Sequence, residues 1–283
     1  MNNKTIRDFA HGKLPTIFIT ALLIVIALGT VAVIAPVFGA AASDYEEDEQ
    51  LLYDIRAAAE QGCACAQNHL GVRYCYGRGV AQDHGRAMYW FRLSAEQGHA
   101  MALHNLGIHY RDGKGVIQDL TRAAYWFRLS AEKGNAAGQL RLGVLYRDGR
   151  GVPQDFQQAA YWFRQSAEQG NASAQTSLGG MYRFGRGVEQ DYIQSVYWLR
   201  LAAEQGNATA QYNLGLRYTF GMGVTRNYAQ AIYWFTLSAE QGHLLAARRM
   251  AEIDILFSLI IFALLTVTFV SVVVITVKAQ MKK

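Results

Sequence analysis

Hydrophobic and polar positions divide the chain into three regimes. From Leu14 to Ala42 there is no charged residue, and Ile17–Ala35 is almost wholly apolar. A second run without charge extends from Ile255 to Val277. Between them the pattern becomes periodic. Small or apolar residues fall four apart at Ala66, Leu70 and Tyr74, and again at Ala102, Leu106 and Tyr110. Ala87, Trp90, Phe91 and Ser94 follow the i, i+3, i+4, i+7 spacing. Both are stripes of amphipathic helices.

The wave has a fixed long period. Gly62, Gly98, Gly134, Gly170, Gly206 and Gly242 each follow Gln or Lys, 36 residues apart. All five Trp keep the same step: Trp90, Trp126, Trp162, Trp198 and Trp234. So do Tyr74, Tyr110, Tyr146, Tyr182 and Tyr218. The residues from 59 to 238 therefore hold five full units, and a half-unit continues to Arg249. Each unit predicts two helices. Asn135, Asn171 and Asn207 are good N-caps for the first helix; Asp83, Asp119, Asp155, Asp191 and Asn227 are good N-caps for the second. Gly77-Arg78-Gly79-Val80 and its equivalents stop the first helix, because Gly accepts left-handed geometry.

Gly71, Gly107, Gly143, Gly179 and Gly215 sit beside the first stripe. A mid-helix Gly costs about 1 kcal/mol against Ala, so its recurrence predicts a close helix approach. One hairpin cannot bury its Trp and Phe, whereas stacked hairpins can. The expected fold is all-α: a right-handed α/α superhelical solenoid with the five Trp as structural residues. Gln50–Ala59 reads as a degenerate second helix that caps the N-terminal end. Leu244–Ala251 reads as a first helix that runs on into the apolar segment.

The charges around the apolar runs give them a direction. Lys4, Arg7 and Lys13 precede the first, and Gly39-Ala40-Ala41-Ala42 closes it. This fits a cleaved secretory signal or an uncleaved anchor. The second run would span roughly 35 Å as a helix, against a hydrocarbon core of about 30 Å. Lys278, Lys282 and Lys283 follow it. Basic residues stay on the cytoplasmic side. The expected organisation is a signal or anchor over 1–42, an acidic linker and capping helix over 43–58, repeats over 59–249, a transmembrane helix over 255–277 and a basic tail over 278–283. The repeats are expected to face the periplasm from a bacterial inner membrane.

The repeated unit Ala-Glu-Gln-Gly-Asn-Ala-x-Ala-Gln-x-x-Leu-Gly-x-x-Tyr-x-x-Gly-x-Gly-Val resembles the Sel-one-like repeat, a relative of the tetratricopeptide repeat, whose period is about 34. The Gly-x-Gly-Val turn separates the two. The resemblance implies an adaptor that holds proteins or peptides on the concave side of a solenoid, often in membrane-associated complexes. It brings no catalytic residues and no cofactor.

Charge and reactive residues refine this picture. The net charge is +5 and the pI about 9.1. No clustered basic tract or nucleic-acid module accompanies them, so no nucleic-acid partner is expected. Arg111, Arg147 and Arg183 share one repeat position; Arg78, Lys114, Arg150 and Arg186 share another at the turn. Stacked as two ladders, they suit acidic peptide segments or anionic glycans. A solvated face copied by duplication gives the same pattern. Arg92, Arg128, Arg164 and Arg200 form a third row, expected on the outside. Gly-x-Gly-Val lacks the Lys-Ser/Thr of a phosphate loop and follows a helix, so it reads as a turn.

Cys63, Cys65 and Cys75 are not a disulfide framework. His99, His104 and His109 are five apart, which turns each about 140° from the last on a helix, so no metal site is expected. Asn171-Ala-Ser and Asn207-Ala-Thr match glycosylation sequons, but these Asn are also helix caps. The expected function is a non-catalytic protein-interaction scaffold at a membrane. The alternatives are a cell-envelope enzyme or a regulatory subunit of a membrane complex. Against an enzyme, the polar positions repeat almost unchanged, whereas one active site would break the symmetry.

Overall fold

Recurring caps and glycines cut the chain into helices of equal length. The computed structural model describes residues 48–280, except the side chains of Leu256, Phe257, Ile260 and 269–280. Its helices are α1 (48–60), α2 (Ala64–Tyr76), α3 (His84–Glu96), α4 (Ala100–Asp112), α5 (Leu120–Glu132), α6 (Ala136–Asp148), α7 (Phe156–Glu168), α8 (Ala172–Phe184), α9 (Tyr192–Glu204), α10 (Ala208–Phe220), α11 (Tyr228–Glu240) and α12 (Leu244–Gln280). No strand occurs among the described residues. The helices form an all-helical repeat solenoid.

The chain divides into two compact units, one ending at Asp83 and one starting at His84. In the first, α1 lies beside α2. The Gln67 side chain donates to the Ala59 carbonyl at 3.1 Å. Gly77 closes α2 in the left-handed region with φ 69°.

In the second unit, α4, α6, α8 and α10 each pack against the helix that follows, and α3, α5, α7, α9 and α11 each pack on the next. The caps predicted from Asp119 onward form. The Asn135, Asn171 and Asn207 side chains accept from the amides of Gly138, Ala174 and Ala210 at 2.8–3.0 Å. Asp119, Asp155, Asp191 and Asn227 do the same for α5, α7, α9 and α11. His99 is a cap that the sequence pattern did not mark, its Nδ1 accepting from Ala102 N.

The recurrent mid-helix glycines are explained by contact. A Cβ on Gly107 or Gly215 would lie 2.6 Å from the ring of Phe127 or Phe235; on Gly143 it would lie 2.8 Å from Phe163. Leu106, Leu142, Leu178 and Leu214 are fully buried in the adjoining row.

The five Trp line the margin of the core, with Trp198 and Trp234 packed against its hydrophobic clusters. All are half-buried, and none belongs to the innermost row. In α5 that row is Ala123, Ala124, Phe127, Ser130 and Ala131. Trp126 precedes Phe127 and is rotated about 100° from it, so the indole lies at the margin of the stripe. Each Trp meets the preceding exposed Tyr edge to face, as Tyr161 does Trp162 at 4.9 Å.

α12 continues unbroken past Ala251, as the sequence predicted. Ser258, Thr266 and Thr268 bond back to the carbonyls of Asp254, Ala263 and Leu265. Among the described residues no helix is long and apolar enough to cross a membrane. The expectation for Ile255–Val277 falls partly on side chains outside that set. The signal or anchor expected over 1–42, the start of the acidic linker and residues 281–283 also lie outside the described residues.

Candidate functional site

The basic positions lie where the first helix of each repeat ends. Each of these helices closes on a left-handed Gly, such as Gly149 with φ 65°. The ladder of Arg111, Arg147 and Arg183 is chemically uneven. Arg111 makes a two-point ion pair with Asp112, and Arg147 makes one with Asp148. The same contacts hold both Asp carboxyls below their usual range. In the next repeat Phe184 replaces that Asp, and the Arg183 guanidinium lies 4.6 Å from its ring centroid.

The turn positions Lys114, Arg150 and Arg186 are exposed. Arg186 also faces Phe184 at 5.3 Å and Phe156 at 5.7 Å. Arg78, in the first unit, is exposed and lies 5.4 Å from the Tyr76 ring. Within the second unit the structure thus brings Arg183 and Arg186 to one aromatic ring, while Arg111 and Arg147 are already paired.

The third Arg row is not a bare outer face. Arg128, Arg164 and Arg200 donate to the hydroxyls of Tyr146, Tyr182 and Tyr218 on the next helix at 2.8–3.0 Å. Arg92 reaches Tyr110 at 3.4 Å.

Sequence reasoning missed several groups. Arg217 follows His109, Leu145 and Met181 at one repeat position and is 2% exposed. Burial, then the charge of Arg183, lowers its pKa to about 10. Its Nη1 lies 3.2 Å from Met222 Sδ, and its Nε has no partner. A return to Arg, as at Arg73, after His109, Leu145 and Met181 was the available signal.

A glutamine relay was also missed. Gln169 donates to Gln139 Oε1 at 2.7 Å, and Gln139 donates to the Ala131 carbonyl at 3.3 Å. Gln205–Gln175–Ala167 and Gln241–Gln211–Ala203 repeat it. Ser130, Ser166 and Ser238 donate to the carbonyls of Ala100, Ala136 and Ala208 at 2.7 Å. The period of Gln in the quoted unit was the trace of this network.

The histidines are partly brought together. The rings of His84 and His109 lie 5.7 Å apart, and His109 Nδ1 bonds the Lys114 carbonyl. His104 lies against Phe127; burial, then the charge of Arg141, lowers its pKa to about 4. Cys63 and Cys65 are exposed thiols. An apolar cavity of about 550 Å³ lies between α10, α11 and α12, lined by Leu216, Phe220, Tyr228, Ile232 and Ile253 among others.

The repeat geometry agrees with one known family. The Sel1 repeat model matches residues 66–99, 100–135, 136–171, 172–207 and 208–243. The chain belongs to the Sel1 repeat family. A crystal structure of c5321, a protective antigen of uropathogenic Escherichia coli with the same fold, is 42% identical with a TM-score of 0.67. It is matched over 70% of this chain but only 43% of its own length, so this Sel1 repeat protein spans less than half of that relative. A Sel1 repeat protein of Oxalobacter formigenes is 32% identical, with a TM-score of 0.64 over 67% of this chain and 78% of the other. No curated protein matches the chain.

Proposed function

We propose that this Sel1 repeat protein is a non-catalytic scaffold that binds a partner protein through an acidic segment. The observation that carries the reading is the uneven Arg ladder. Asp112 and Asp148 satisfy two rungs, while Arg183 and Arg186 flank an exposed Phe184. An aromatic side chain beside Arg is a usual composition for a protein-binding centre. The carboxylate and histidine positions make no second, distinct constellation of acid and base at that place.

The reading includes a membrane location. Ile255, Leu259, Ile261, Phe262, Leu264, Leu265 and Val267 are exposed along α12, a pattern that supports burial in lipid. The basic residues at both ends support repeats held away from the cytoplasm, with the partner bound on the inner face of the solenoid.

The test is a photo-crosslinker at Phe184 in cells, with one at the exposed turn residue Ile117 as control. A reproducible protein adduct at Phe184 alone is the expected result. Failure to recover one at Phe184 removes the scaffold reading. Protease added to the cytoplasmic side of sealed membranes should leave the repeats intact; their digestion reverses the orientation.

A further inference from the structure

The column Arg73, His109, Leu145, Met181 and Arg217 returns at its fifth place to the guanidinium of its first, after three repeats that bury an imidazole or an apolar chain. A buried charge is costly unless it is paired and hydrogen-bonded. Arg217 has neither compensation from a carboxylate. Its Nη1 faces a thioether, a weak acceptor, its Nε has no partner, and the Tyr192 ring lies 5.9 Å away.

After burial, the charge that weighs most on it is Arg183, of the same sign. Arg183 itself has Phe184 where the two preceding repeats have Asp, and Arg186 shares that ring. Among the described residues, none of these three Arg forms an ion pair. Like charges gathered without a counter-charge favour an anion, and guanidinium forks match carboxylate geometry. The flanking rings of Phe184 and Tyr192 stabilise the cations and add apolar surface.

We propose that Arg183, Arg186 and Arg217 form a clamp for the carboxylates of an acidic peptide segment. The clamp rests on the scaffold reading and narrows it to one repeat step. Arg183 and Arg186 make the outer contacts. Arg217 contributes its charge from beneath and is relieved of its unpaired burial when the carboxylate arrives. A peptide is favoured over a nucleic acid because Phe184 offers exposed apolar surface between two cations at this step, although the exposed Lys114 and Arg150 continue the basic row.

The test uses the full chain in lipid nanodiscs at low salt, where screening is weak. Fluorescence anisotropy compares labelled hexaglutamate with hexaglutamine and with oligothymidylate. Hexaglutamate should bind the wild type best. Arg217→Met, which copies Met181 at the same repeat position, and Arg183→Gln should each weaken it tenfold or more. Arg111→Gln should change it less than twofold. Hexaglutamate should raise the melting temperature of the wild type and leave that of Arg217→Met unmoved.

Equal hexaglutamate affinity in Arg217→Met and wild type overturns the clamp. So does equal binding of hexaglutamine, or tighter binding of oligothymidylate. If Phe184 crosslinks the same partner equally well in the Arg183→Gln/Arg217→Met protein, the clamp falls and the scaffold reading stands.

Discussion

Asp148 grips its sequence neighbour Arg147 at two points, Nε to Oδ1 at 2.7 Å and Nη2 to Oδ2 at 3.1 Å. Consecutive helical residues seldom face one another, and the pairing is possible here because Asp148 is the last residue before the Gly149 turn. The carboxylate occupies the guanidinium edge that an acidic ligand would use. Asp148→Asn should free that edge and raise affinity for hexaglutamate about twofold, the scale of a partly exposed pair worth about 0.5 kcal/mol. Anisotropy titration at low salt reads the change, and raised salt should abolish it.

His104 makes stability depend on acid. Its pKa falls from 6.5 to about 4 in the folded protein, through burial first and Arg141 second. The unfolded chain therefore binds the extra proton between about pH 6.5 and 4. Stability contributed by the neutral ring is complete above that window and is lost as pH falls through it. His104→Leu, which copies Leu140 one repeat later, should flatten the pH dependence. The gain over wild type should reach on the order of 3 kcal/mol at pH 4 and be much smaller at pH 7.5. Urea melts across the range measure it.

Gly215 tests the close helix approach. Gly215→Ala gains about 1 kcal/mol of helix propensity but drives a methyl to 2.6 Å from Phe235. Overpacking of this kind costs about 1–3 kcal/mol, so net destabilisation is expected. Adding Phe235→Leu, the residue type found at Leu199, should recover part of the loss. Equilibrium denaturation of the single and double variants gives the coupling.

Ser166 tests the rungs inside each hairpin. Its hydroxyl donates to the Ala136 carbonyl at 2.7 Å, and Ala202 occupies the matching position one repeat on. Ser166→Ala should therefore fold and lose about 1 kcal/mol. The reciprocal Ala202→Ser should gain a similar amount where the Ala172 carbonyl accepts. Paired denaturation curves decide both.

The sequence showed the helices clearly because caps, turns and stripes repeat in the same order, each use confirming the others. Asn135 and Asp155 cap as their positions implied, and Gly107 marks the contact with Phe127. Trp90 was drawn into the buried stripe but is half-buried at its margin, because an i, i+3, i+4, i+7 template accepts a large apolar residue at the edge of a stripe as readily as at its centre. The Arg ladder was found by period alone, and period cannot distinguish Asp148 from Phe184 as the neighbour that decides whether a rung is already satisfied. Arg217 escaped for the opposite reason: with Arg73 it departs from the His109, Leu145 and Met181 of its column, and the reading looked for what recurred. The glutamine relay joins residues 30 apart in sequence, which no local pattern reports.

That relay also sets where the second unit opens first. Latches built on Gln139, Gln175 and Gln211 each tie one hairpin to the helix before it, whereas the hairpin starting at Ala100 carries Leu103 and Lys133 in the corresponding places. Neighbour-coupled arrays come apart at their weakest junction. A zipper lacking one tooth parts there under strain, so α4 and α5 should exchange amide hydrogens ahead of the three hairpins beyond them, leaving the Arg183–Arg217 step inside the portion that stays closed.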